Sequence, residues 1–264
     1  MITSLQNPKV KQVVRLREKR ERDKTETFLI EGYRELTRAV KGGVTFETLF
    51  YSPDHFLGTN EQALIRSIIE KNVEGIEVTK EVFEKISYRD RPDGLLAIAK
   101  QRHLGLADLP LNQKRPPFFL IAEAIEKPGN LGSILRSSDA AGVDALIVCD
   151  RCTDVFNPNV VRASVGTLFT VPVLEVSSSA AIQWLKENNI TIVATSPDAK
   201  ATFTHVDLTG PVAIAMGTEQ LGLSKKWMEA AQLQVSIPMC GVADSLNVAA
   251  ATTLLLYEVL RQRS

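Results

Sequence analysis

The chain has 264 residues, 44% hydrophobic and 23% charged, with 31 basic and 31 acidic side chains. That composition belongs to a globular protein and excludes a disordered or fibrous one, and no apolar run is long enough to span a bilayer. A net charge of zero sets aside a chain that grips nucleic acid by overall charge alone.

Charge is nonetheless uneven along the chain. Residues 1–24 hold eight basic and three acidic side chains, net +5, whereas residues 118–264 hold ten basic and fourteen acidic, net −4. The front segment reads as a charged helix over residues 7–22 with Val10, Val13, Val14 and Leu16 on its apolar side. Lys9, Lys11, Arg15 and Arg17 on that arm are either a footprint for phosphates or a solvated helix face with its own ion pairs. Phe28 to Ile30 reads as a strand, Glu31 to Lys41 as a helix closed by Gly42-Gly43, and Phe46 to Tyr51 as a strand. Glu61 to Lys71 reads as a helix, Ile76 to Val78 as a strand, Lys80 to Ile86 as a helix and Gly94 to Ala99 as a strand. Such alternation predicts a small α/β domain over residues 1–100.

Residues 101–117, with Pro110, Pro116 and Pro117, read as a linker. A second alternation occupies 118–264. Its strands are Phe118 to Ile121, Ala145 to Val148, Ile190 to Ala194, Val212 to Met216 and Val235 to Ile237. A helix opens at Pro128-Gly129-Asn130, with Asn130 as its N-cap, and runs to about Ala141; Val248 to Leu260 forms the last helix. Continuous apolar strands separated by helices predict a parallel sheet covered on both faces. Ligands of such sheets bind beyond the carboxyl ends of the strands, so the loops there matter most.

Three loops carry chemistry-bearing residues. The first is Asn130-Leu131-Gly132-Ser133-Ile134-Leu135-Arg136, followed by Gly142. Arg136 lies one helical turn past Gly132 and is placed to reach the same mouth, although a helix start with an exposed arginine reads equally plainly. The second is Gly217-Thr218-Glu219-Gln220-Leu221-Gly222-Leu223, directly after a strand. It lacks the spacing of a Walker loop or a dinucleotide fingerprint. The third, from Ile237-Pro238-Met239 to Ser245-Leu246-Asn247, offers a hydroxyl and an amide two positions apart at a helix start. One of the two suits a cap and the other a ligand.

Cys149, Cys152 and Cys240 make an odd count that fits a reducing cytosol better than a disulfide scaffold. Met1-Ile2-Thr3-Ser4 leads into no signal-like apolar core, so the expected location is cytoplasmic. Cys149 and Cys152 form a C-x-x-C without a second pair, and His55, His103 and His205 are isolated, so no metal site is expected.

Together the three loops resemble the SpoU family of RNA ribose methyltransferases, within the knotted SPOUT class. Asn130, Gly132, Arg136 and Gly142 match the family's N-x-G-x-x-x-R motif; Gly217, Glu219, Gly222 and Leu223 match its second motif; the run from Ile237 to Val248 matches its third. Ile30-Glu31-Gly32 is similar to the family's ribosomal-protein-like substrate-binding module. The resemblance implies a C-terminal trefoil knot, a homodimer formed through the C-terminal domain, and methyl transfer from S-adenosylmethionine to a ribose 2′-hydroxyl without a metal. It places the donor against Thr195, Gly217, Ile237, Met239 and Leu246, and the reaction at Asn130, Arg136, Glu219, Ser245 and Asn247. It assigns the proton step to Arg136. A guanidinium stays protonated in proteins, so a grip on the neighbouring phosphate and on growing alkoxide charge is the competing role. Arg162 is a further candidate phosphate contact. The expected substrate is RNA, first ribosomal RNA of the 23S type and then tRNA. Two rival classes are a non-catalytic RNA-binding protein and a small-molecule methyltransferase with an open Rossmann sheet. The second would carry a glycine-rich loop after its first strand, and Phe118 to Glu123 leads to none.

Overall fold

The computed structural model describes every residue except Pro110, Asn112, Gln113, Arg151 and Glu219. The chain divides into two compact units, Met1–Arg102 with Asp154–Thr170, and His103–Thr153 with Val171–Ser264.

The first unit opens with α1 (Pro8–Arg15) and α2 (Lys19–Thr25). They are followed by β1 (Thr27–Glu31), α3 (Tyr33–Lys41), β2 (Phe46–Tyr51), α4 (Glu61–Ile69), β3 (Glu74–Glu77), α5 (Lys80–Ile86) and β4 (Leu95–Lys100). Its sheet has the order β1-β4-β2-β3, with β4 antiparallel to both neighbours and β2 parallel to β3. Val10, Val13 and Leu16 enter its core beside Phe50, Val82, Phe83 and Ile98. The single helix expected over 7–22 is broken instead at Leu16–Glu18, where Glu18 is extended. Two arginines account for the break. Arg17 donates to the carbonyls of Lys85, Ile86 and Ser87 at 2.9, 3.1 and 2.7 Å, closing the end of α5. Arg22, only 1% exposed, turns back onto the carbonyls of Leu16 and Arg17 at 2.9 and 2.7 Å.

The second unit carries β5 (Phe118–Glu123), α6 (Pro128–Ala140) and β6 (Ala145–Cys149). The chain then passes through α7 (Pro158–Ala163), which belongs to the first unit. It returns for β7 (Val173–Val176), α8 (Ser178–Glu187), β8 (Thr191–Thr195), β9 (Ala201–Thr202), β10 (Val212–Met216), α9 (Lys225–Ala230), β11 (Leu233–Ser236) and α10 (Val248–Gln262). All seven strands pair in parallel, in the order β7-β6-β5-β10-β8-β11-β9. β5, β6 and β10 are buried at every position, as continuous apolar strands in a doubly covered sheet must be. Phe119, Ile121, Ile147, Leu185, Ile192 and Trp227 fill one face, and the Trp227 indole donates to Ser178 Oγ at 2.8 Å. Each such side chain contributes roughly 1.5–3 kcal/mol by leaving water.

The partition differs from an even split at a linker. Leu104, Leu106 and Leu109 of the supposed linker pack into the second unit's core. Asp154–Thr170 packs in the first unit: Asp154 pairs with Arg22, and the Phe156 and Phe169 rings lie 4.8 and 6.0 Å from Phe28. A Cβ on Gly42 would lie 2.2 Å from the Phe169 carbonyl, so only glycine permits that approach.

Candidate active site

Because the sheet is parallel, β8, β10 and β11 end on one edge, and they are neighbours in the order β10-β8-β11. The loops that follow them enclose a cleft of about 820 Å³. Thr195, Gly217, Ile237, Met239 and Leu246, the residues assigned to the donor by resemblance, all line it, as does Ser245. Ser196, Asp198, Gln234 and Asp244 also line it and were missed in the sequence. Ser196 and Asp198 directly follow β8, and that position is the signal that would have found them.

The Gly217 loop is held by backbone. Thr218 and Gly222 exchange amide-to-carbonyl bonds of 3.0 Å, and Gly222 sits at φ +66°. A Cβ on Gly217 would stand 2.2 Å from Gly222 backbone, so the loop closes only with glycine there. Beyond it the Ser224 amide donates to Glu123 Oε2 at 2.7 Å, so the buried Glu123 carboxylate at the end of β5 anchors the approach to α9. Thr195 turns its hydroxyl to the Ala215 carbonyl at 3.0 Å, tying β8 to β10 at the cleft wall. Glu219 lies outside the described residues.

Asn247 caps α10, its Oδ1 accepting from the Ala249 amide at 3.0 Å. Its Nδ2 donates to Asn130 Oδ1 at 3.2 Å, which joins the third loop to the first. Asn130 is not the N-cap of its helix. Pro128 occupies the first turn and Lys127 the cap position, which puts Asn130 inside α6 with its side chain turned to Asn247. Further along α6, Ser137 and Thr253 hydroxyls meet at 2.7 Å between α6 and α10. Arg136 is exposed and does not line its own chain's cleft, so one turn of helix does not carry it to that mouth. Arg162 lies on α7 in the first unit. On the front arm Lys11 and Arg15 are exposed, Lys9 pairs with Glu74, and Arg17 is committed to the end of α5.

Cys149 and Cys152 take no part. Burial pushes the Cys152 thiol up to about 12 and raises Cys149 as well, so neither is a thiolate near neutrality. Cys152 Sγ instead accepts from the Ile125 amide at 3.1 Å. Among the described residues no group of three His, Cys, Asp or Glu is placed to hold a metal.

The donor set suits a flat, cationic nucleoside. Apolar Ile237, Met239, Leu246 and Val248 stand beside loop backbone and the carboxylates of Asp198 and Asp244. Residues 117–257 match the SpoU rRNA Methylase family model, and residues 7–97 match the MRM3-like substrate binding domain.

The chain belongs to the SpoU rRNA methylase family.

Two relatives match over most of their length. The 23S rRNA (guanosine(2553)-2′-O)-methyltransferase RlmP of Bacillus subtilis is 29% identical over 98% of both chains. The 23S rRNA (uridine(2479)-2′-O)-methyltransferase of Streptomyces viridochromogenes is 33% identical over 89% of this chain and 83% of its own. The crystal structure of an AdoMet-bound rRNA methyltransferase from Sinorhizobium meliloti superposes with a TM-score of 0.90, at 32% identity, over 98% of this chain and 97% of that one.

Proposed function

We propose that this protein methylates a ribose 2′-hydroxyl of ribosomal RNA of the 23S type, with S-adenosylmethionine as donor. One observation carries the reading: the loops after β8, β10 and β11 line a single cleft, and Asn247 ties that cleft's third loop to Asn130 of the first motif. The activities of the Bacillus and Streptomyces relatives and the AdoMet-bound Sinorhizobium structure support it.

The donor supplies an electrophilic methyl on a sulfonium, so the protein's task is alignment and proton handling. Gly217 and its loop backbone, with Ile237, Met239 and Leu246, would hold the adenosine. Asp198 and Asp244 complement positive charge. Ser245, Asn247 and Asn130 orient the ribose. Arg136 grips the phosphate beside the target sugar and stabilises the charge that grows on the oxygen.

Because Arg136 stands outside its own chain's cleft, we assign it to the cleft of a second copy, in a homodimer formed through α6 and α10. Leu254, Tyr257 and Leu260 of α10 are 44%, 46% and 39% exposed and supply an apolar face for that contact. The C-terminal segment, in which β11 enters between β8 and β9 before α10, is read as the family's trefoil knot. The first unit selects the RNA. Three unpaired cysteines favour the cytoplasm as the compartment.

The test is transfer from labelled donor to total RNA of cells lacking the gene. A new alkali-resistant dinucleotide in 23S rRNA is the expected product, since a methylated 2′-oxygen cannot attack its phosphodiester. Label appearing only in alkali-sensitive nucleotides contradicts ribose methylation.

A further inference from the structure

The first unit holds its own cleft of about 770 Å³. Arg34, Arg91 and Arg162 stand on its rim, all exposed. Among the described residues none of the three has an ion-pair partner, whereas Arg89 beside them is taken up by Glu35 at 2.6 Å and the Glu31 carbonyl at 2.7 Å. Arg162 reaches this rim because Asp154–Thr170 folds into the first unit.

The carboxylates of the cleft are mostly withdrawn from the rim. Asp93 Oδ2 accepts from the Tyr33 amide at 2.8 Å, Glu35 and Glu61 are 4% and 5% exposed, and Asp90 stands exposed. Among the described residues, five buried side-chain polar atoms lack a hydrogen-bond partner, and three of them belong to this cleft: Glu61 Oε2, Arg89 Nε and Asp93 Oδ1. Glu61 spends its other oxygen on the Leu57 and Gly58 amides at 3.2 and 2.8 Å. Buried groups of this kind are rare in folded proteins and call for a partner. Tyr33 adds an aromatic ring to the lining.

We propose that this cleft seats an unpaired segment of the RNA substrate, with phosphates on Arg34, Arg91 and Arg162 and a base against Tyr33. The inference rests on the reading of the protein as an RNA methyltransferase and names where that RNA is gripped. Exposed cations with an aromatic ring beside them match a nucleotide, whose phosphate is anionic and whose base stacks. A duplex keeps its bases stacked on one another, whereas a single strand can lay one on the Tyr33 ring, so single strands are favoured. The grip moves away from the front arm, where Lys9 and Arg17 are engaged within the fold.

The experiment compares wild type, the triple variant Arg34→Ala/Arg91→Ala/Arg162→Ala, Tyr33→Leu, and the arm variant Lys11→Ala/Arg15→Ala. Binding to a 23S rRNA transcript is measured across salt, with a single-stranded 12-mer and a duplex of equal length as competitors. The triple variant should bind at least tenfold more weakly, and its salt slope should fall by about 2 for three lost single-strand phosphates. Tyr33→Leu should lose about tenfold with an unchanged slope, as a stacking residue does. KM for RNA should rise in both, while kcat at saturating RNA, AdoMet affinity and thermal midpoint hold. The arm variant should stay within twofold, and the single strand alone should compete. A triple variant that binds as wild type does, or a loss confined to the arm variant, overturns the cleft and leaves methyl transfer standing. Wild-type protein with no RNA affinity and no transfer overturns the underlying reading as well.

Discussion

Asn247 and Asn130, 117 positions apart in the chain, are joined by a 3.2 Å hydrogen bond from Nδ2 to Oδ1. The same Asn247 caps α10, so one side chain sets both the start of the last helix and the place of the first motif. Asn247→Ala removes the cap, which costs about 1 kcal/mol, and breaks the bond to Asn130. The expected outcome is a small drop in urea midpoint together with a fall in kcat of at least tenfold. Asn247→Asp keeps the cap but loses the donor. It should restore stability without restoring kcat, which separates the two roles.

Gly217→Ala tests the second loop. Its Cβ would meet the Gly222 backbone at 2.2 Å, so the Thr218–Gly222 turn must open. The sheet beneath is untouched, since Met216 and the rest of β10 precede the site. AdoMet affinity, measured by calorimetry, should fall at least tenfold while the circular dichroism spectrum stays the same.

Arg22 is a prediction about folding. It is 1% exposed and binds Asp154 through Nε at 3.0 Å and the carbonyls that end α1. Arg22→Ala leaves Asp154 and those carbonyls without their partner, a loss of about 3–5 kcal/mol for a broken buried pair. Urea unfolding checks it, and a shift below 1 kcal/mol contradicts it.

Glu31 gives a pH dependence. Burial raises its carboxyl above the usual carboxylate value of 4.5, against the bonds it accepts from Ser87 and the Tyr88 amide. The folded state therefore holds this proton more tightly than the unfolded chain does. Its contribution is fully present below the ordinary carboxylate range and is lost as pH rises through the raised value. Glu31→Gln should remove that decline, so the difference in urea midpoint between variant and wild type should grow in the variant's favour as pH rises from about 4.5 toward neutrality. A constant difference contradicts it.

Much of this was legible in the chain. The strands β5, β6, β8 and β10 announce themselves as unbroken apolar runs, and the segments after β5, β10 and β11 carry the glycines, serine and asparagines of the site. Less legible were features fixed by distant partners. The break after Arg15 depends on Arg17 and Arg22 finding carbonyls elsewhere. β7 and β9 lie at the sheet edges, β7 with mixed burial and β9 only two half-buried residues long, so no periodic pattern marks them. Asp154–Thr170 joins the first unit through Phe28 and Arg22, contacts that no local pattern encodes. Arg136 sits in the expected motif, yet its place relative to the cleft depends on the turn of α6, which Pro128 sets.

The central claim is that the loops after β8, β10 and β11 form one donor site, and Leu246 tests it most directly. Leu246 is 38% exposed and lines the cleft, so Leu246→Arg adds a cation there without disturbing the core. Titration calorimetry with S-adenosylmethionine should show binding by wild type and a loss of at least tenfold in the variant, at an unchanged melting temperature. Equal affinity in the two proteins would place the donor elsewhere and contradict the account.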